Sequence, residues 1–157
     1  MAQLNWTAAP QFLDKNVKDF CENGYTADSF NHCAHFVAHA LGVGLGYTCK
    51  KQTGGKFDGA SIRVHELFAN CHEVGHWTDR HPALLNCLIF ITNPGNVHLK
   101  RRMMDNHPRK HVGVFSNGSV VHYSNTKERV VRQTVEDFSH HYAPPYNGLF
   151  FGTLLGG

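Results

Sequence analysis

The chain has 157 residues, 41% hydrophobic and 17% charged, with a net charge of +3 when histidine is neutral. That is enough for one compact domain spanning 1–157, too short for two ordinary ones, and too apolar for a disordered chain. The mild basic excess suits an anionic partner such as a cell wall, a membrane surface or nucleic acid and selects none of them; no Lys/Arg run has the form of a nucleic-acid arm, and Lys100-Arg101-Arg102 and Arg109-Lys110 read as solvated loop charge.

In chain order, the stretch MAQLNWTAAPQFLDKNV has no basic start followed by an apolar core, so no secretory signal is expected. No segment is apolar for long enough to span a bilayer. These features predict synthesis in the cytoplasm, with any action outside it reached by another route. Phe12, Leu13, Val17, Phe20 and Cys21 fall at helical spacing and predict a helix over residues 10–22, stopped by Asn23-Gly24. Cys33, Phe36, Val37, Ala40 and Leu41 form one face of a second helix, with Asp28, Ser29 or Asn31 as its cap and Gly42 as its stop. Residues 43–60 read as loop. Ile62, Val64, Leu67, Phe68 and Cys71 predict a third helix over residues 61–76.

Beyond His81-Pro82 the pattern changes. LLNCLIFI (84–91) predicts a buried strand ending at Asn93-Pro94-Gly95, and residues 96–110 read as a polar, basic loop. HVGVFSNGSVVHYSN predicts a hairpin turning at Asn117-Gly118, and RVVRQTV a third strand after a turn at Lys127-Glu128. The tail from Phe138 onward gives no assignable pattern. Helices followed by an antiparallel sheet make an α+β fold.

There are five cysteines, so at least one is unpaired within a monomer, and pairing among Cys21, Cys49, Cys71 and Cys87 is left open. Cys33 differs from these by position. It falls in the first turn of its helix, where unpaired N–H groups and the helix dipole favour a thiolate and can hold an oxyanion. In the hairpin, a two-residue turn pairs Ser116 with Ser119, Gly113 with His122 and His111 with Ser124. His111 and His122 then share a face on adjacent strands, diagonally placed for an imidazole–imidazole hydrogen bond. Thiol, base and a polar group to hold the base are the parts of a cysteine hydrolase. Gly113, on the same face as His111, would leave room for substrate.

GYTADSFNHCAHFVAHALGV, ALLNCLIFI, HVGVFSNGSVVHYSN and RVVRQTVEDF together resemble the NlpC/P60 and CHAP group of papain-like cysteine peptidases and amidases. The resemblance covers roughly residues 25–45 and 84–138. It implies a papain-like fold of N-terminal helices packed on an antiparallel sheet. It also implies Cys33 as nucleophile, His111 as base and His122 as orienting residue, with Asn125 as the rival for that last role. The chain departs from the group at His32, where NlpC/P60 members often carry Asp, and at Ala34-His35, in place of a Ser-Gly pair. The resemblance implies cleavage of peptidoglycan stem peptides or cross-links. Trp77, Gly113 and Asn125 are the substrate-binding candidates. No cofactor and no metal is assigned. An antibacterial effector held in check by an immunity protein, or a phage endolysin, would fit a wall hydrolase acting in the periplasm or cell wall of a target bacterium.

One motif points elsewhere. His72-Glu73-Val74-Gly75-His76 fits H-E-x-x-H, which on a helix would bind zinc through both histidines with Glu73 as general base. The extended form of that motif lacks its third ligand here, since Asp79 and Pro82 stand at the expected positions. A zinc peptidase and a non-catalytic binding module on the same scaffold are the alternatives to the cysteine hydrolase.

Overall fold

The computed structural model describes residues 4–154; residues 1–3 and 155–157, the outermost residues of the amino-terminal stretch and of the tail, lie outside that range. In place of a helix over 10–22 there are two 3-10 turns, Ala9–Phe12 and Val17–Asp19. The break between them falls at Asp14, whose φ of 68° no helix accommodates. This segment follows the last strand of the main sheet: Asp14 N–H donates to the Val130 carbonyl and Val130 N–H to the Lys15 carbonyl. An otherwise open sheet edge is thereby covered.

Helix α1 runs Cys33–Leu41 and ends at Gly42, which adopts the left-handed cap conformation at φ 75°. Eight of its nine residues are buried, so α1 is the central element of the core. The expected loop 43–60 contains a short helix α2, Cys49–Thr53, capped by the Thr48 side chain. Helix α3 covers only Val64–Ala69, and the chain then straightens into strand β1, Glu73–His76. The expected third helix therefore stops seven residues early, with Asn70 as its C-cap.

Strand β2 is Asn86–Thr92. A small two-stranded ribbon, β3 (Val97–His98) with β4 (Met103–Met104), occupies part of the expected basic loop. Strands β5 (Lys110–Ser116) and β6 (Ser119–Ser124) form the expected hairpin, with Ser116 opposite Ser119. Asn117 and Gly118 both have positive φ, 52° and 80°, as a type I′ turn requires. Strand β7 is Arg129–Gln133, helix α4 is Val135–Phe138, and β8 is Gly148–Thr153. The six-stranded sheet has the order β1-β8-β2-β5-β6-β7, antiparallel throughout. Strand β8, from the unassigned tail, inserts between β1 and β2.

The N-terminal helices thus pack against one face of an antiparallel sheet. Phe36, Val37 and Leu41 of α1 meet Leu88, Phe90, Val112, Val114, Val121 and Tyr123 there. The other face carries Cys87, Ile89, Ile91, Phe115 and Val120, covered by Phe138 of α4. Period-two alternation of the strands produces this division. All five cysteines are free and buried, and burial pushes the Cys71 and Cys87 thiols up to about 12. No helix among the described residues is long and apolar enough to cross a membrane.

Candidate active site

The hairpin register brings His111 and His122 together. His111 Nε2 lies 2.8 Å from His122 Nδ1, and both rings are buried. His122 Nε2 lies 2.6 Å from Gln133 Oε1 on β7, diagonal to the His122–Val131 pair. This chain of contacts fixes the protons. A carboxamide oxygen only accepts, so His122 donates from Nε2. Burial holds His122 neutral, with its pKa pushed down to about 4, so its Nδ1 must accept. His111 then donates from Nε2. Burial, with His141 and His122 beside it, holds His111 well below its ordinary pKa. A neutral His111 with its proton on Nε2 has a lone pair on Nδ1, and that atom is buried without a hydrogen-bond partner among the described residues. An unsatisfied buried polar atom is uncommon and is accounted for by strain, by chemistry or by a bound water or ion.

Cys33 lies on the α1 side of the sheet, one residue along β5 from His111 through its contact with Val112. The β5–β6 ladder runs from Ser116/Ser119 to Val114/Val121 and is not continued to Val112 and Tyr123. Ladder alternation points the Val112 amide toward β6, and there the Cys33 sulfur receives it. The thiol therefore occupies the opening where the two strands part. The His111 ring leaves β5 one residue earlier, toward α4, and stacks on His141 at 4.0 Å. No hydrogen bond joins Cys33 to His111 among the described residues. Burial pushes the Cys33 thiol up to about 11, outweighing the Val112, Ala34 and Cys33 amides and Lys110. The helix-start position alone predicts the opposite direction; desolvation is the larger effect because the residue is only 1% exposed.

The expected helix caps resolve into one arrangement. Asn31 Oδ1 accepts the Cys33 amide at 3.0 Å and the Asn125 Nδ2 amide at 2.8 Å, while Asn125 Oδ1 accepts the His32 amide at 3.2 Å. Asn125 therefore ties down the start of α1 and, among the described residues, forms no hydrogen bond with His111 or His122. The Cys33 N–H expected to hold an oxyanion is engaged by Asn31. A cleft of about 320 Å³ opens beside Cys33, lined by Tyr25, Phe30, Asn31, Arg63 and Lys110, among others. A larger concavity of about 520 Å³, at Gly44, Thr48 and Lys50, has no cysteine or histidine in its lining.

Two expected substrate contacts have other roles. Trp77 packs on Phe115 and under Arg80, with no part in the cleft at Cys33. At Gly113 a Cβ would lie 2.8 Å from Val120 Cγ1 and 3.0 Å from His122 Cβ. Glycine there admits His122, not substrate. Gly113→Ala should accordingly displace His122 and lower the urea midpoint by an amount equivalent to about 1–3 kcal/mol; an unchanged midpoint would show that the hairpin absorbs the methyl group.

In His72-Glu73-Val74-Gly75-His76, Glu73–His76 is a strand and not a helix, and His72 stands just before it. Four residues of strand span about 13 Å, too far for His72 and His76 to share one ion. His72 instead contacts Thr153 Oγ1, and His76 lies against Phe150. Two members of the array escaped sequence reasoning. Gln133 could have been found by extending the hairpin parity to the third strand, but His141 lies in the unassigned tail. Comparisons with family models, curated proteins and solved structures find no match for this chain.

Proposed function

We propose that the chain is a papain-like cysteine hydrolase of the NlpC/P60 and CHAP kind, cleaving amide bonds in the stem peptides of bacterial peptidoglycan. The observation that carries this reading is the buried Nδ1 of His111, without a partner among the described residues and held as an acceptor by the His122–Gln133 relay, one residue along β5 from the Val112 amide that the Cys33 sulfur accepts. In the resting protein the pair is neutral. When a substrate carbonyl enters, the Cys33 sulfur turns from the Val112 amide and attacks the carbonyl carbon while its proton passes to His111 Nδ1. The His111 imidazolium is stabilised through His122, then protonates the departing amine nitrogen. A thioester remains on Cys33. Water, deprotonated by His111, attacks it, releasing the carboxylate product and restoring the thiol.

The cleft supports an acidic substrate. Arg63 and Lys110 line it together, and stem peptides carry free carboxylates that two cations would recognise. The net charge of +3 agrees with an anionic wall. An effector delivered into a competitor, with an immunity protein at home, is the setting we favour over an endolysin. One observation favours the binding-module reading: the buried, neutral thiol of Cys33.

The test is product analysis. Purified sacculi and defined muropeptides are incubated with the wild type and with Glu73→Gln, and the products are separated by mass. New peptide fragments from both proteins are expected. Wall binding with no product would identify the binding module, and fragments from the wild type alone would return Glu73 to the chemistry.

A further inference from the structure

We propose that Cys21, His35, His39 and Cys49 form a zinc site that fastens the amino-terminal segment and α2 to helix α1. The site shares no residue with the Cys33–His111 array and stands independently of the hydrolase reading. One donor atom from each of the four residues lies within 4.8 Å of the other three. Tetrahedral zinc with bonds of 2.0–2.3 Å separates its ligand atoms by roughly 3.3–3.8 Å, so little movement is needed to close the set. His35 and His39 stand one turn apart on the same face of α1, and their Nε2 atoms face each other at 3.1 Å.

The surrounding hydrogen bonds orient the donors. His32 Nε2 lies 2.7 Å from the Ala27 carbonyl, which only accepts, so His32 carries its proton there. His32 Nδ1 then accepts, at 3.0 Å, from His35 Nδ1. His35 is left with a lone pair on Nε2, directed into the cluster. A ligating histidine held through its other ring nitrogen is the usual second layer of a zinc site. The sulfurs are prepared as well. Cys49 Sγ accepts from the Ala60 amide at 3.3 Å and from Asn23 Nδ2 at 3.6 Å, and the amides of Asn23 and Tyr25 reach the Cys21 sulfur. Such N–H···S contacts suit thiolates, the form that binds metal.

Two soft sulfurs and two imidazoles gathered in one compact cluster select zinc among the common divalent ions. Four protein ligands leave no position for water, so the ion would be structural. The ligands come from the segment after the Val17–Asp19 turn, from α1 and from the first residue of α2. Neither the Cys21 segment nor α2 pairs with a strand of the main sheet, whereas α1 packs on it. The site also accounts for His32 and His35, beside Cys33.

The test is the metal content of the full chain, purified without chelator and measured by plasma mass spectrometry. Zinc in a one-to-one ratio is expected in the wild type and in His72→Ala, and its loss in His39→Ala and in Cys49→Ser. Should those two variants not fold, cobalt added to the metal-stripped wild type replaces them as the readout. The visible bands of tetrahedral, thiolate-bound cobalt would support the site. A reduced wild type that binds neither metal, zinc retained in both folded variants, or a Cys21–Cys49 disulfide peptide in place of metal would overturn it.

Discussion

Cys33→Ala should remove hydrolysis of stem peptides, with a fall in kcat on the order of 10⁴-fold or more, as when the nucleophile of a covalent mechanism is deleted. Stability should change far less. The substitution removes one sulfur and leaves the Val112 amide without its acceptor, a cost of about 1–3 kcal/mol. Cys33→Ser sharpens the test, because a hydroxyl keeps an acceptor for Val112 and nearly the same volume. Its folding should match the wild type, yet it should be as inactive as Cys33→Ala, because the His111 relay is matched to a thiol. Steady-state hydrolysis of a defined muropeptide, beside thermal unfolding of all three proteins, measures both. Activity within tenfold of wild type in either variant would remove Cys33 from the chemistry.

Acid should destabilise the protein well above the pH at which carboxylates titrate. In the unfolded chain a histidine takes its proton near pH 6.5; in the fold His122 does so only near 4, because burial disfavours its charged form. Below 6.5 the unfolded state therefore binds more protons, and stability falls with pH until the folded ring titrates. His122 alone accounts for about 3 kcal/mol across that window, and His111 and His141 shift in the same direction. Urea unfolding at pH 7 and at pH 4.5 should show a clearly lower midpoint in acid. His122→Gln, which cannot titrate, should show a smaller drop. Equal midpoints at the two pH values would mean that these rings are not held neutral.

Local, short-period features were legible in the sequence. The Asn117-Gly118 turn sets the hairpin register, and the register alone pairs His111 with His122. Gly42 ends α1 where expected because an αL position was needed there. Long-range features were not legible. The strand of the tail, β8, owes its place to partners more than 50 residues away on β1 and β2, and no local pattern announces it. Residues 61–76 carry helical spacing, yet pairing with β8 draws Glu73–His76 into a strand; tertiary pairing overrides weak propensity. The cluster of Cys21, His35, His39 and Cys49 draws on three separate segments without a C-x-x-C spacing, so only the fold assembles it. The direction of the Cys33 shift was missed because helix position is visible in a sequence and depth of burial is not.

The proposed chemistry passes through a thioester on Cys33. The most direct measurement is to mix enzyme with excess stem peptide, quench in acid within the first turnovers, and map the peptides by mass. The acyl part of the substrate should appear on the peptide that contains Cys33, disappear with time as product forms, and be absent from Cys33→Ala. Turnover with no adduct on Cys33 at any time, persisting in Cys33→Ala, would contradict the covalent mechanism.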